Sequence, residues 1–195
     1  MKLRRLLWLL FGVVAPLIWG VGCHTAPEPA GEAAAAEKTA VVMTAAPDNF
    51  YRVSAEIWRS GQPDREEFRS LSEAGLKSVL NLRNHHRDGE LVAGLPLELY
   101  ELRLNAGDLT RNELLSALRI VRKAEKPLLI HCWHGSDRTG AVVAGYRILF
   151  EGWSVEQAVD ELLDPRFGHH RFYYRNIPRV LRSIDWEEMR RQVNE

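Results

Sequence analysis

Short apolar runs alternate with longer amphipathic stretches from residue 49 to the end of the chain. The runs EIWRS, LKSVLNLR, LELYELRL and PLLIHC have the composition of strands. PLLIHC is apolar at nearly every position, as expected of a central strand that is buried on both faces. Because strands that alternate with helices usually form parallel sheets, the pattern predicts an α/β domain with a largely parallel sheet.

The helical stretches carry clear start signals. Thr110 and Glu113 in TRNELLSALRIVRKAEK have the spacing of a capping box, and Ser154 and Gln157 in SVEQAVDELL repeat it. Further helices are predicted for PDREEFRSLSEAG, RTGAVVAGYRILFE, NIPRVLRSI and DWEEMRRQV. These stretches supply the helices that cover the faces of a parallel sheet.

The N-terminus has the pattern of an export signal. A basic start, MKLRR, precedes an uncharged apolar run over residues 6–21. This run is shorter than the ~20 residues that span a bilayer, and small residues follow it. We therefore expect residues 1–23 to be a signal peptide that exports the protein. An uncleaved N-terminal anchor is the alternative, and it would also place the remaining chain outside the cytoplasm.

Cys23 closes this segment. The sequence WGVGC resembles a bacterial lipobox, and the resemblance implies that Cys23 is lipidated and becomes the mature N-terminus, with Gly20 where that pattern usually has Leu. An acylated terminus would attach the protein to a membrane surface without spanning it. Residues 24–48 are rich in Ala, Pro and Glu and predict a flexible linker before a single domain at residues 49–195.

Composition and charge narrow the function. The chain has 195 residues, of which 46% are hydrophobic and 27% charged, as in an ordinary globular domain. Its 26 basic and 26 acidic side chains balance, which argues against a nucleic-acid partner. Cys23 and Cys132 are its two cysteines, so lipidation or removal of the first leaves Cys132 without a disulfide partner.

Cys132 lies where a strand, a short loop and a helix meet. In HCWHGSDRTG it ends the PLLIHC strand, and Arg138 opens the following helix. The backbone amides of the short loop and the positive end of the helix would favour an anion, and they would favour the thiolate form of Cys132. Arg138 offers a bidentate fork to phosphate oxygens, and Gly135 lets the backbone approach closely. A thiolate in a phosphate-sized cradle indicates nucleophilic attack on phosphorus.

HCWHGSDRTG resembles the His-Cys-x5-Arg-Thr/Ser-Gly loop of the cysteine-dependent protein tyrosine phosphatases. With NFYRVSAEIWRSGQP, LKSVLNLR and EGWSVEQAVDELL, the likeness to exported bacterial dual-specificity phosphatases covers roughly residues 49–183. It implies a protein tyrosine phosphatase-like fold, with a central, mostly parallel sheet of four or five strands flanked by helices. Residues 49–195 would then be the catalytic domain.

The resemblance also implies roles. Cys132 would attack phosphorus and form a phosphocysteine, and Arg138 would bind the substrate and the transition state. Thr139 would assist departure of the thiolate, and His131 would orient the loop. The phosphate-binding residues would be Trp133, His134, Gly135, Ser136, Asp137 and Arg138. No metal or cofactor is expected, because the loop itself neutralises the phosphate, and His131, Cys132 and His134 lack the further ligands of a zinc site.

The leaving oxygen needs a proton from a carboxylic acid on a neighbouring loop. The resemblance places that acid after the third strand, where Asp108 in NAGDLT is the only Asp between Asp88 and Asp137. Asp108 could instead be a turn residue before the Thr110 cap. Asp137 is the rival, because some phosphoinositide-directed relatives carry a carboxylate inside the loop.

The leading hypothesis is a phosphatase for phosphotyrosine, with phosphoserine and phosphothreonine as further substrates and a phosphorylated protein as partner. The alternative is a phosphatase for phosphoinositides or other small phosphate esters. A phospho-binding module without turnover is disfavoured by the intact Cys132, Arg138 and Thr139. Each remaining candidate has a favoured interpretation and an alternative. Arg59 and Arg83 are expected to be solvated charges, with a place at the cleft rim or a carboxylate partner as the alternative. Phe172 and Tyr173 are expected in the core, although residues 167–178 could frame the cleft, and His85, His86, His169 and His170 are expected on exposed loops or near the cleft rim.

Overall fold

The computed structural model describes residues 43–195, so the predicted signal peptide, Cys23 and most of the predicted linker lie outside the described residues. The strands are β1 (Tyr51–Arg52), β2 (Ile57–Ser60), β3 (Ser78–Asn81), β4 (Glu98–Glu101) and β5 (Leu128–His131). The helices are α1 (Arg65–Glu73), α2 (Arg111–Lys123), α3 (Asp137–Phe150), α4 (Val155–Leu163), α5 (Asn176–Ser183) and α6 (Trp186–Asn194), with a 3₁₀ turn at Pro165–Phe167.

The five strands form one sheet in the order β1-β2-β5-β3-β4. Only the two-residue edge strand β1 is antiparallel to its neighbour; the other pairs are parallel. β5 is central and buried along its length, as its apolar sequence predicts. His131 is paired with Ser60 on one side and Asn81 on the other. The predicted α/β class with a mostly parallel sheet is therefore confirmed, and the carboxyl ends of three strands meet beside Cys132.

The two faces of the sheet bury separate apolar clusters. Leu128 and Ile130 of β5 point into the larger cluster, which helices α2 to α6 cover. Leu129 points to the opposite face, where Phe68 and Leu71 of α1 pack. This alternation follows from the period of two along a strand, and it explains why β5 is apolar at successive positions.

Capping boxes start three of the helices. Thr110 begins α2 and Ser154 begins α4, with reciprocal bonds to Glu113 and Gln157 as predicted. α3 begins without a side-chain cap at Ser136, as α5 does at Arg175. α3 packs closely against α4: a Cβ at Gly140 would lie 2.5 Å from Leu162 Cδ1, so a larger residue there would require the Leu162 side chain to move. The first backbone amides of α3 therefore have no capping side chain as acceptor, and they are free to donate to an anion bound at the loop before the helix.

The last residues assigned to the linker contact the domain. The amide of Ala45 donates to Ser70 Oγ at 3.1 Å, and the amide of Gly61 donates to the carbonyl of Asp48 at 2.7 Å. Met43 packs against the apolar cluster on the α1 face. Within residues 43–195, no helix has the length and apolar character needed to cross a membrane.

Candidate active site

The loop between β5 and α3, residues 132–136, forms the floor of a cleft. Cys132 is 2% exposed at its start. Gly135 has a φ of 70°, a conformation that glycine adopts without strain. A Cβ at this position would lie 2.4 Å from both the carbonyl carbon and oxygen of Ser60. The loop therefore presses directly on the end of β2, and Gly135 is required for that contact.

Groups outside the loop bind its carbonyl oxygens. The amide of Gln62 donates to the carbonyl of Trp133 at 3.0 Å, Asn49 Nδ2 to that of His134 at 2.9 Å, and Arg59 Nη2 to that of Gly135 at 2.8 Å. Within the described part of the chain, the amides of residues 133–136 have no hydrogen-bond acceptor. Because the carbonyls are occupied and the amides are free, the loop offers donors to an anion.

Arg59 lies behind the loop and is only 1% exposed. Its guanidinium stacks on Phe167, with 4.1 Å between Cζ and the ring centroid. Burial lowers the pKa of Arg59 to about 10, against the opposing charge of Glu161, so the side chain stays cationic at neutral pH. The expectation of a solvated charge is wrong for Arg59, because its position inside β2 faces the loop rather than solvent.

His131 is fixed by a buried carboxylate. Its Nε2 lies 2.7 Å from Asp88 Oδ2, and both side chains are fully buried. Gln62 Nε2 donates to the other oxygen of Asp88 at 2.8 Å. Burial would raise the pKa of Asp88, but the hydrogen bonds from His131 and Gln62 outweigh it and hold this pKa below its ordinary value. Asp88 therefore carries a charge that orients the residue next to Cys132.

Asp137 ties a second segment to the loop. Its Oδ1 accepts the backbone N–H of His170 at 2.9 Å, and its Oδ2 lies 2.7 Å from His170 Nδ1. His169 Nδ1 lies 2.8 Å from Oδ1, at an angle outside that of a good hydrogen bond. Burial would raise the pKa of Asp137, but its contacts with His169 and His170 outweigh it and lower this pKa. Asp137 is thus an ionised anchor.

The favoured expectations for three residues of this rim are wrong, whereas the alternative, a place at the cleft, is confirmed for Tyr173. The side chain of His169 is 1% exposed, because it lies against Asp137 rather than on an open loop. Phe172 and Tyr173 are 78% and 83% exposed and do not enter the core. They follow the anchored histidines, and the anchor holds this stretch above the cleft. Among the histidines of the other predicted pair, His85 is exposed as expected and His86 is half-buried.

The cleft above Cys132 encloses about 360 Å³. Its lining residues are Ala106, Cys132, Trp133, His134, Asp137, Arg138, His170, Tyr173 and Tyr174. Arg138 Nη1 donates to the carbonyl of Leu82 at 3.3 Å, while its Nε is buried and has no partner among the described residues. The hydroxyl of Thr139, in the first turn of α3, is likewise buried and unpaired there. Most of the predicted loop residues thus line one cleft with Arg138, and the first turn of α3 holds two donors that have no partner among the described residues.

Asp108 lies apart from this group. It is exposed, and its Oδ2 accepts a hydrogen bond from Asn105 Nδ2 at 2.8 Å. Its loop reaches the cleft through Ala106, whose carbonyl accepts a hydrogen bond from Asn176 Nδ2 at 2.8 Å. Asp108 itself does not line the cleft, so its assignment as the general acid stays a prediction.

The sequence interpretation missed Asn49. This residue has a φ of 53°, a conformation that asparagine tolerates better than most residues. From there Nδ2 also approaches the carbonyl of Phe167 at 3.2 Å and the hydroxyl of Ser136 at 3.4 Å. The Pro-Asp-Asn sequence at residues 47–49 is a turn signal that could have marked a special backbone position there. Asp88 precedes Gly89, and this Asp-Gly pair marks a turn, but nothing in the sequence marks the contact of Asp88 with His131.

A buried thiol at the end of the central strand, with a ring of free amides and an arginine, defines the class of thiol-dependent phosphate-ester hydrolases. A family model described as the tyrosine phosphatase family matches residues 44–173. The chain therefore belongs to the tyrosine phosphatase family and is a phosphatase, as its sequence predicts.

Individual relatives agree in sequence and fold. The chain is 32% identical over 163 residues to the dual specificity protein phosphatase TpbA of Pseudomonas aeruginosa, covering 82% of this chain and 72% of TpbA. The crystal structure of P. aeruginosa TpbA superposes with a TM-score of 0.69 at 29% identity, over 76% of this chain and 92% of that chain. The catalytic core of the PP-IP phosphatase SIW14 from S. cerevisiae superposes with a TM-score of 0.67 at 30% identity. The match covers 77% of this chain and 93% of that chain.

Proposed function

We propose that this protein hydrolyses phosphotyrosine, and also phosphoserine and phosphothreonine, through a phosphocysteine intermediate. The observation that carries the proposal is the position of Cys132 at the floor of a cleft, below Arg138 and beside the free amides of residues 133–136. Those donors match the three outer oxygens of a phosphoryl group during transfer. Arg59 holds the loop from behind through the carbonyl of Gly135 and places a buried positive charge near the bound phosphate.

In the first step, the Cys132 thiolate attacks phosphorus and forms a sulfur–phosphorus bond. The bond from phosphorus to the substrate oxygen breaks, and that oxygen takes a proton from the general acid. In the second step, water attacks phosphorus and gives a proton to the same carboxylate. The sulfur–phosphorus bond breaks, inorganic phosphate leaves, and the Thr139 hydroxyl donates a hydrogen bond to the departing thiolate.

Asp108 is the better candidate for the acid. Asp137 is buried, and its oxygens are held by His169 and His170 in a charged state, so it has no proton to give near neutral pH. Asp108 is exposed on a loop whose neighbour Ala106 already forms the cleft wall. In this proposal, the loop shifts when substrate enters, the bond from Asn105 to Asp108 opens, and Asp108 reaches the leaving oxygen.

The walls of the cleft support an aromatic substrate. Trp133, Tyr173 and Tyr174 surround its mouth, and aromatic side chains favour a tyrosyl ring between them. TpbA has also been solved in complex with phosphotyrosine. The alternative substrate class, a small phosphate ester, is supported by relatives named inositol diphosphatases, such as SIW14.

We also propose that the protein acts outside the cytoplasm, attached through its N-terminus. The support is the basic start, the short apolar run and the lipobox-like WGVGC. An exported location determines which phosphorylated molecules the enzyme meets. Substrates should therefore be sought in an extracytoplasmic extract.

The test is substrate trapping with Cys132→Ser. We expect this variant to retain phosphorylated proteins from the extract and to lose turnover of p-nitrophenyl phosphate, while its thermal unfolding stays close to that of the wild type. The lower nucleophilicity of a hydroxyl is the reason. Arg138→Lys is the matched variant, which keeps the nucleophile and removes the bidentate fork. Full turnover by Cys132→Ser, or no hydrolysis by the wild-type enzyme, would overturn the proposal.

A further inference from the structure

The cleft has a second lobe that the hydrolysis steps do not use. It encloses about 270 Å³ and shares four lining residues with the lobe above Cys132: Ala106, Trp133, Arg138 and Tyr174. Its own walls come from Arg83 and His85, which follow β3, and from Asn105 on the loop after β4. The two lobes are therefore adjacent, and one bound molecule can occupy both.

The second lobe is basic and polar. Arg83 is held in place by two contacts: Nη1 donates to Gln62 Oε1 at 2.8 Å, and Cζ lies 4.3 Å from the ring centroid of Trp133. These contacts fix the guanidinium at the wall without neutralising its charge. His85 is exposed and adds a donor at the open side of the lobe.

No carboxylate lines this lobe within the described residues. The nearest acid along the Arg83 contacts is Asp88, whose two oxygens are already engaged by His131 and Gln62. The other neighbouring acid is Asp108, held by the amide of Asn105. The charge of Asp88 acts on Arg83 through space, but no carboxylate among the described residues hydrogen-bonds the Arg83 guanidinium, so its remaining donors are left for a molecule that enters the cleft.

We infer that the second lobe binds a second anionic group of the substrate, a carboxylate or a phosphate, next to the phosphoryl group that is cleaved. This inference rests on the proposed function, because it assigns the scissile phosphate to the Cys132 lobe. A guanidinium fork and an imidazole are suited to either anion, since both present paired oxygens. An acidic residue beside phosphotyrosine and a second phosphate on a small ester would supply the same chemistry.

The experiment compares substrates that differ only in the second group. One arm uses phosphotyrosine peptides of equal length with Glu or Ala on both sides of the phosphotyrosine. The other uses small esters with one phosphate or with two phosphates on adjacent carbons. For the wild type we expect kcat/KM to be about ten-fold higher for the doubly charged member of at least one arm, since one charge-assisted contact has this effect. The arm with the larger ratio identifies the source of the anion.

Variants test the residues. Arg83→Gln should reduce the ratio between charged and neutral substrates from about ten-fold to about two-fold, and His85→Gln should reduce it by a smaller factor. Arg52→Gln is the matched control: Arg52 also stacks on a tryptophan, at 4.8 Å from the Trp58 ring centroid, but it belongs to the edge strand β1. We expect the ratio in this control to equal that of the wild type.

Each outcome has a separate meaning. If no phosphate ester is hydrolysed, the proposed function itself fails. If hydrolysis proceeds but the ratio is near one in both arms, the second anion site is wrong while the phosphatase activity stands. If Arg83→Gln lowers kcat/KM equally for all substrates, Arg83 acts through Gln62 on the loop, and the inference is again overturned.

Discussion

Two loops face each other across the cleft, and they are held in opposite ways. The loop of residues 132–136 is bound from behind by Arg59, Gln62 and Asn49, and Asp137, the first residue of α3, anchors the rim. The loop of residues 104–110 buries Leu104, Ala106 and Leu109 but exposes Gly107 and Asp108, and the carbonyl of Ala106 accepts a hydrogen bond from Asn176.

The difference in how the two loops are held corresponds to two steps of catalysis, stabilisation of the phosphoryl group and protonation of the leaving oxygen. A site that stabilises charge on a transferring phosphoryl group gains most when its donors are fixed before the substrate arrives. A general acid has to approach the leaving oxygen of an already bound substrate, so a loop that closes is suited to it. The comparison therefore predicts that small changes in the first loop are far more damaging than the same changes in the second.

The largest effect is expected from a methyl group added to each loop. Gly135→Ala places a Cβ against the backbone of Ser60, and we expect kcat/KM to fall by about 1,000-fold because the amides no longer converge. Gly107→Ala meets only Asn105 Oδ1, at 3.7 Å. It should change kcat/KM by about two-fold at most. Steady-state kinetics of the two variants measure this difference in kcat/KM, with circular dichroism to check that both fold. Similar losses of kcat/KM in both variants would refute the contrast between the two loops.

A smaller effect is expected when the acid is replaced. Asp108→Asn should lower kcat on a phosphotyrosine peptide by about 100-fold, because the leaving oxygen no longer receives a proton. Hydrolysis of p-nitrophenyl phosphate should fall much less, since its leaving group departs without protonation. The free energy of unfolding should not change, because Asp108 is exposed. Undiminished turnover of the peptide by this variant would exclude Asp108 as the acid.

The smallest effect on turnover, but a clear one on stability, is expected at Asp88. Its pKa in the folded protein is below the ordinary 3.8, so its stabilising contribution is full above pH 3.8 and is lost as the pH falls through the folded value. Asp88→Asn should lower the free energy of unfolding by about 1–3 kcal/mol at neutral pH. Because the variant has no carboxylate to protonate at this position, its stability should fall less than that of the wild type as the pH is lowered. Urea unfolding across pH measures both. An unchanged acid profile would show that Asp88 is not the charged partner of His131.

The fold was predictable because it depends on local patterns. The apolar run of β5 and the capping residues Thr110 and Ser154 lie within their own elements, and the structure places each where the pattern indicates. The loop around Cys132 was predictable for the same reason, since strand end, loop and helix start are consecutive in the chain.

The partners of that loop were not predictable, because they come from distant segments. His131 and Asp88 are 43 residues apart, and Asp137 and His170 are 33 apart. A buried carboxylate and an exposed one look the same in sequence, so Asp137 could be considered a proton donor until its contacts were known. The burial of Arg59 likewise depends on β2 lying beside β5, which no local pattern reveals.

The solitary thiol at the floor of the cleft also bears on how the enzyme responds to oxidants. A thiolate reacts with peroxide to give a sulfenic acid, and in many redox-regulated proteins a second cysteine then forms a disulfide that prevents further oxidation. Residues 43–195 hold Cys132 and no other cysteine. A disulfide within residues 43–195 therefore cannot protect Cys132, and reduction of its sulfenic acid requires a reducing thiol from outside this domain.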